Sequence, residues 1–344
     1  MKKLFLLLAV LLLTAAAGWA QTQVATLNHQ GNIRVFYGPD AFVNAVNAAV
    51  DDDVINLSAG YFNPTTIDKR LNIKGAGMLV DNNEDRSNTI IGSGGYIFPI
   101  QFTKAASGSS IEGIRFGSFL HNASGTAENF PTRCTFNKCC FSIYVRSGNN
   151  AFDESVFTEC VIDIGTVGVR NSTFLNCCVC TVAARQGYFQ NCYIYYKQTD
   201  ATDSKLSITS SYTNCVMYGH CVNYNISNQV AYNARNNLFL LSGKASVSPF
   251  VYTYNAVNYV ATSDVFNRFT ENFNNWFVGD FDFSLTDEAA SQYLGTDGTQ
   301  VGIYGGSMPF TPVVSNPRIV KCEVDSETSP EGKLNVNIEV KEGR

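Results

Sequence analysis

Charged residues are scarce in this chain, and several other residue types are nearly missing. Asp, Glu, Lys and Arg make up 15% of the 344 residues, and there are only four methionines, two tryptophans and three histidines. The formal net charge of −5 excludes the basic surface that general nucleic-acid binding requires, so we expect no nucleic-acid partner. The histidines are isolated in sequence and no Cys/His spacing matches a zinc site, so we predict no metal site.

The first twenty residues have the pattern of a secretory signal peptide. Lys2 and Lys3 precede an apolar run over 4–13, and small residues follow up to Ala20. We therefore predict an exported protein with a signal over 1–20 and Gln21 as the mature start. Secretion, the periplasm and the outer cell surface stay open as destinations. Beyond residue 20 no apolar stretch is long enough to span a bilayer, so we expect no transmembrane segment after signal removal.

A short pattern recurs five times in the middle of the chain: an aromatic residue, two variable residues and a cysteine. The aromatic positions are Phe136, Phe157, Phe174, Phe189 and Tyr212. The cysteine positions are Cys139, Cys160, Cys177, Cys192 and Cys215. A weaker sixth copy, NNLFLLSG (236–243), would contribute Phe239 and Ser242. Variable spacing around a fixed short core is typical of a repeat protein with loop insertions.

The copies are rich in strand-forming residues and contain no segment of helical periodicity. They therefore predict a β-solenoid whose short strands stack in parallel at about 4.8 Å. The aromatic residues and the cysteines would each form a ladder inside the stack. Stacked cysteines have Cβ atoms about 4.8 Å apart, beyond the roughly 3.5–4.5 Å that a disulfide needs. We predict that this cysteine column is buried, reduced and structural.

Six further cysteines are less constrained by the pattern. They are Cys134, Cys140, Cys178, Cys180, Cys221 and Cys322. A bridge among them stays open, although the odd total of eleven cysteines leaves at least one thiol without an intrachain partner.

The two ends of the chain differ from the repeats. Phe42, Val46 and Ala49 lie at helical spacing, which predicts an amphipathic helix near 40–50 that caps the open end of the stack. Near the other end, a glycine-rich stretch over 282–306 interrupts the repeats. Alternating apolar residues then flank the turn sequence SPEG (329–332), which predicts a hairpin. We therefore divide the mature chain into a β-helix over 21–311 and a C-terminal hairpin or small module over 312–344.

Three parts of the chain resemble those of a known family: the helix with the segment VINLSAGYF…LNIKGAG, the F-x-N-C copies, and the segment DFSLTD…GTDGTQVGIYGG. Through them the chain resembles the right-handed parallel β-helix proteins of the pectin-lyase-like superfamily. The signal and C-terminal strands are similar to those of Bacteroidetes cell-envelope proteins. The resemblance implies an all-β, right-handed parallel β-helix. It does not imply one function, because this fold carries lyases, hydrolases, adhesins and phage spikes. The clustered aspartates of the hydrolases are absent as motifs.

Arginine stands four residues before the aromatic position in three copies. Arg170, Arg185 and Arg235 would lie near one another if the register holds, and a row of guanidinium groups suits the carboxylates or sulfates of an acidic polysaccharide. The alternative is a solvated turn position where any polar residue serves. Stacked like charges repel, which favours that alternative.

Tyrosines supply a second candidate surface. In CYIYYK, strand alternation places Tyr193 and Tyr195 on the face opposite Cys192. If Cys192 points inward, these two rings point outward and could stack on sugars. Tyrosine also fills flat β-surfaces that bind no ligand.

Three functions follow as hypotheses. We expect a monomer that binds an extended polysaccharide, acidic or neutral, along one solenoid face without a catalytic motif. The first alternative is a diverged polysaccharide lyase or hydrolase, and Ca²⁺ would be needed only for a lyase. The second alternative is a cell-surface adhesin or structural envelope protein. No cofactor is predicted, and no catalytic residue can be named.

Overall fold

The fold is known from a computed structural model, and the described part of the chain is almost entirely β-structure. The described residues are 23–78, 88–93, 96–120, 131–143, 152–164, 169–181, 187–196, 210–219, 234–240, 259–260, 266–268, 282–311, 313–315, 318–324 and 336–341. Within them the helical segments are the α-helices Ala41–Ala48 and Asp287–Gln292 and a 3-10 turn over Lys104–Ala106. The prediction of a mostly β chain is confirmed.

Sheet 1 is an eleven-stranded sheet in this part of the chain. Its antiparallel N-terminal end consists of Asn32–Tyr37 and Val24–His29, and all later strands are parallel to one another. Those strands follow in chain order: Val54–Leu57, Asn72–Lys74, Ser110–Glu112, Thr135–Asn137, Val156–Thr158, Ser172–Leu175, Gly187–Gln190, Ser211–Thr213 and Ala234–Arg235.

Sheet 2 is a second long sheet, and its main path is parallel and also follows chain order. Its described strands are Gly60–Phe62, Thr89–Ser93, Ile114–Leu120, Cys140–Ile143, Val161–Ile164, Cys178–Thr181, Tyr193–Tyr196, Val216–Gly219, Leu238–Leu240 and Tyr259–Val260. Three short strands join beside this path: Thr66–Ile67, Tyr96–Ile97 and Ile100–Phe102. From Ser110 to Leu240 each repeat adds one strand to sheet 1 and the next strand to sheet 2. This arrangement is compatible with a β-helix.

Three two-stranded sheets complete the described β-structure. Phe152–Asp153 pairs in parallel with Val169–Arg170. Phe266–Arg268 pairs with Asp282–Leu285, and Arg318–Val324 pairs with Val336–Lys341, both antiparallel.

From Ser110 onward, a single left-handed residue lies between each sheet 1 strand and the sheet 2 strand that follows it. These turn residues have φ between 50° and 67°: Gly113, Lys138, Glu159, Asn176, Asn191, Asn214 and Asn236. One left-handed residue redirects the chain between two strands, and asparagine tolerates that conformation better than most residues. The asparagine that precedes the cysteine in three copies therefore suits the backbone of this turn, which Lys138 and Glu159 adopt in the other two copies.

The aromatic residues of the five copies stack through the interior. Ring centroids are 4.7 Å apart for Phe157 and Phe174 and 4.5 Å apart for Phe174 and Phe189, and the ring planes differ by 10° or less. Phe136 and Tyr212 extend the stack at its two ends. The in-register parallel pairing of sheet 1 places each ring on the next one.

The cysteines of the copies form a second buried column beside the turns. Cys139, Cys160, Cys177, Cys192 and Cys215 are free thiols with no solvent exposure. The Cys177 thiol donates to the Phe157 carbonyl oxygen at 3.4 Å, and its sulfur accepts from the Cys160 amide at 3.4 Å. Burial raises the pKa of the Cys177 thiol well above its ordinary value. Cysteine here fills a small space and also satisfies backbone groups of the neighbouring repeat.

The sixth copy lies five residues earlier than the sequence pattern indicates. Ala234 pairs with Tyr212, whereas Phe239 pairs with Met217 in sheet 2. Asn237 therefore takes the cysteine position: its Oδ1 accepts from the Cys215 amide at 2.8 Å and its Nδ2 donates to the Tyr212 carbonyl at 2.9 Å. An amide replaces a thiol at the end of the column and makes both of its hydrogen bonds. The prediction of Phe239 as the sixth aromatic ladder residue is wrong, and Ser242 lies outside the described residues.

Residues 282–311 and 313–315, here called the strap, cover the outer face of sheet 2. Strap side chains Phe283, Leu285, Ala289, Val301, Ile303 and Phe310 form one buried cluster with outward-facing residues of sheet 2, which are Cys140, Val161, Cys178, Cys180, Tyr193, Val216 and Leu238. Cys178 and Cys180 are thus buried outside the repeat interior, beneath the strap, while Cys177 lies inside. The glycine-rich segment is a covering layer.

The strap also forms hydrogen bonds with the column of left-handed turn residues and with Glu112, which precedes the turn residue Gly113. Its contacts run backwards along the repeats: Asn236 with Leu294, Asn214 with Thr296, Asn176 with Ile303 and Gly305, Glu159 with Thr311, Lys138 with Val313, and Glu112 with Ser315. These hydrogen bonds extend to Ser315, beyond the boundary at 311 that the sequence predicts, because the strap continues along the stack up to the repeat of Glu112.

Candidate functional site

The outer face of sheet 1 differs from that of sheet 2, because its side chains are half-buried or exposed. Five consecutive strands present two columns of uncharged residues on this face, here called the strip: Thr135, Asn137, Val156, Thr158, Thr173, Leu175, Tyr188, Gln190, Ser211 and Thr213. At about 4.8 Å per strand the strip is roughly 19 Å long. It offers hydroxyl and amide groups on a flat, neutral surface.

Tyr188 is the aromatic side chain on the strip. It is 55% exposed and directly precedes the inward Phe189 on the strand Gly187–Gln190. Gln190, two residues later, is exposed on the same face. Tyr188 was not among the site residues predicted from the sequence, although alternation around the inward Phe189 places it outward.

A cleft of about 430 Å³ opens where the strip meets the strap. Its lining comes from two repeats and from two turns of the strap: Leu175, Asn176, Gln190, Asn191, Asp297, Thr299, Gly306, Ser307 and Met308. Gln190 belongs to both the strip and the cleft. The cleft therefore continues the strip beyond Gln190 into a concave site lined by both polar and apolar groups.

The acidic group of the cleft, Asp297, is held by its own loop. Asp297 Oδ1 accepts from the amide of Thr299 at 3.0 Å and from its hydroxyl at 2.8 Å, and Thr299 Oγ1 accepts from the Gly306 amide at 2.6 Å. The bonds from Thr299 hold the pKa of Asp297 below its ordinary value. Asp297 is therefore an oriented carboxylate at neutral pH.

Two turn asparagines form the floor of the cleft. Asn176 Nδ2 donates to the carbonyl oxygens of Ile303 at 2.8 Å and Gly305 at 2.7 Å. Asn191 is only 2% exposed, and its Oδ1 has no hydrogen-bond partner within the described residues. A Cβ at Gly306 would lie 2.1 Å from Asn191 Nδ2, so the strap approaches this closely only with glycine there.

The predicted row of three arginines does not form, because Arg170 and Arg235 lie in different sheets. Arg170 lies in the small parallel sheet and forms an ion pair with Asp153, with Nη2 to Oδ2 at 2.5 Å. Arg235 pairs with Thr213 and so extends one column of the strip. Arg185 lies outside the described residues. Arg235 was assigned to the row by counting back from Phe239, which is not in the aromatic ladder.

The predicted tyrosine platform is also wrong. Tyr193 points away from the repeat interior, as alternation requires, but it is only 1% exposed and stacks on Phe283 with ring centroids 4.1 Å apart. Tyr195 is half-buried against the same cluster. The strap covers this face, and strand alternation alone cannot show a cover that comes from a distant segment.

Within the described ranges, no group of three or more His, Cys, Asp or Glu side chains is placed to hold a metal ion. None of the helices in these ranges is long and apolar enough to cross a membrane.

Comparison of the chain with protein-family models, with curated proteins and with solved structures found no match. The strip, Tyr188 and the cleft therefore carry the functional inference.

Proposed function

We propose that the chain is an exported right-handed parallel β-helix protein that binds an extended polysaccharide along the strip. The alternation of strands between sheet 1 and sheet 2 supports the β-helix, and parallel crossovers are nearly always right-handed. The pectin-lyase-like superfamily is the family that we propose, on the sequence features named above.

The observation that carries this proposal is an exposed aromatic ring within a long, neutral, hydrogen-bonding strip. Sugars offer an apolar ring face and several hydroxyl groups, which match Tyr188 and the Thr, Ser, Asn and Gln side chains around it. Sheet 2 is a poorer candidate because the strap covers its outer face. Each exposed hydrogen bond contributes only about 0.5–1.5 kcal/mol, so useful affinity needs a polymer that contacts several repeats together.

Binding without cleavage is the favoured form of this function. The cleft offers one carboxylate, Asp297, whose lowered pKa makes it a poor proton donor at neutral pH. The side chains that line the cleft include no arginine, lysine or histidine to act as a base.

The test is incubation of the purified mature protein with a panel of neutral and acidic polysaccharides, followed by affinity electrophoresis and product analysis. We expect retardation by at least one polymer with no change in the polymer itself. Unsaturated products or new reducing ends would replace binding with the catalytic alternative. Failure of every polymer to retard the protein would overturn the proposal.

A further inference from the structure

We infer that the cleft is a subsite for an uncharged sugar ring, and that the polymer bound on the strip is therefore neutral. This inference rests on the proposed function and names its ligand class. It differs from the acidic ligand that the row of arginines would have required.

The charge of the cleft favours an uncharged ligand. Asp297 is the charged residue of the lining, and Thr299 fixes its carboxylate by two hydrogen bonds to Oδ1. A uronate or sulfate group in this space would meet a like charge. A sugar hydroxyl would instead donate to Oδ2, and hydrogen bonds to an ionised acceptor are the stronger ones.

The neighbouring amide side chains favour a ligand that has hydroxyl groups. Asn191 lines the cleft with a buried Oδ1 that no described group satisfies, and a buried acceptor without a donor is unfavourable. Sugar hydroxyls supply donors that a sulfate or carboxylate lacks. Gln190 adds an exposed amide at the mouth of the cleft.

The position of Tyr188 links the cleft to the strip. Tyr188 and Gln190 are two residues apart on one strand, so their side chains point from the same face about 7 Å apart. A polymer that stacks one ring on Tyr188 therefore reaches Gln190 and the cleft without leaving the strip. The nearest described cation of the same column, Arg235, lies two strands beyond Gln190, about 9.6 Å away at the ordinary strand spacing.

Matched polymers test the charge requirement. Hydroxyethyl cellulose and carboxymethyl cellulose share one backbone and differ in charge, and further matched pairs extend the test to other backbones. In affinity electrophoresis at about 0.15 M salt, where exposed charges more than about 8 Å apart are screened, we expect the neutral member of a pair to retard the protein at least fivefold more strongly. Stronger retardation by the acidic member would overturn the inference and leave the proposed function intact.

Asp297→Asn tests the subsite itself, with Glu154→Gln as the charge-matched control on an exposed turn outside the cleft. We expect D297N to weaken binding of the neutral polymer several-fold and E154Q to leave it unchanged. Thermal unfolding of both variants checks that the strap remains folded. Equal binding by D297N and the unchanged protein would overturn the subsite. If the unchanged protein binds no polymer, the proposed function fails and the subsite fails with it.

Discussion

Tyr193 of sheet 2 and Phe283 of the strap are stacked with ring centroids 4.1 Å apart and both side chains buried. The contact joins residues that are distant in sequence, and it closes the face on which exposed tyrosines were expected. It makes sheet 1, and not sheet 2, the face available to a ligand.

The first prediction concerns this contact. Phe283→Ala removes a buried ring, exposes Tyr193, and should lower the free energy of unfolding by about 3 kcal/mol. Urea denaturation followed by tyrosine fluorescence measures the loss. Leu294→Ala is the control on the same strap, since that side chain is 46% exposed and should cost less than about 0.5 kcal/mol. Similar stability of the two variants would contradict a buried strap.

The second prediction concerns the turn at Asn176. Asn176→Ala removes both hydrogen bonds to the strap and places alanine at φ 50°, which should cost about 2–4 kcal/mol. Asn176→Gly removes the bonds but tolerates the backbone conformation, so its loss should be about 1–2 kcal/mol smaller. Denaturation midpoints of the two variants measure this difference in stability. An N176A variant at least as stable as N176G would contradict the role of the left-handed backbone conformation at this residue.

The parallel sheets could be predicted from the sequence, but their cover could not. An aromatic residue and a cysteine at fixed separation, as in Phe174 and Cys177, indicate strands that repeat in register, because only inward positions demand the same residue type in every copy. The strap carries no such repetition. Its partners are the turn residues Asn214, Asn176 and Glu159, whose order along the strap follows from the folded stack alone.

Asn237 shows a second limit of predicting the fold from the sequence. A pattern search favours Phe239 as the sixth aromatic position because the residue type matches. The structure instead conserves the hydrogen bonds of the cysteine position, and an amide can make them. Tyr188 was predictable, since it precedes an inward phenylalanine, whereas the cleft was not, because half of its lining comes from the strap.

The third prediction concerns the cysteines. The nine cysteines with described side chains are free and buried, and burial raises the pKa of Cys134 to about 11. Because these nine side chains are shielded from solvent, at most two of the eleven thiols should react quickly with a thiol reagent in the folded protein. After denaturation without reductant, at least nine thiols should titrate. A count below nine would mean that at least one of these thiols is oxidised, and a count below five would contradict the reduced column.

The fourth prediction concerns Glu159, which lies beneath the strap. Burial raises the pKa of its carboxyl, against the lowering effects of the Thr311 amide and of Lys138. The folded state therefore holds the proton more tightly than the unfolded state. Stability from this group is present below the unfolded pKa and is lost as pH rises through the folded pKa.

Denaturation midpoints of the unchanged protein and of Glu159→Gln between pH 4 and pH 8 measure this effect. Glutamine keeps an acceptor for the Thr311 amide but does not titrate. The stability of the unchanged protein relative to E159Q should fall as pH rises from the unfolded pKa. A difference that grows with pH would show that Glu159 is stabilised as the carboxylate, contrary to this account.

The central claim is that a polysaccharide binds on the strip, and ligand binding by a Tyr188 variant tests it most directly. Isothermal titration with the polysaccharide that most strongly retards the protein compares the unchanged protein with Tyr188→Ala and with Tyr96→Ala, whose ring is 74% exposed beside sheet 2. Loss of a stacked ring should lower the association constant about three- to tenfold in Y188A, while Y96A binds normally. If Y188A binds as tightly as the unchanged protein, the polymer does not lie on the strip.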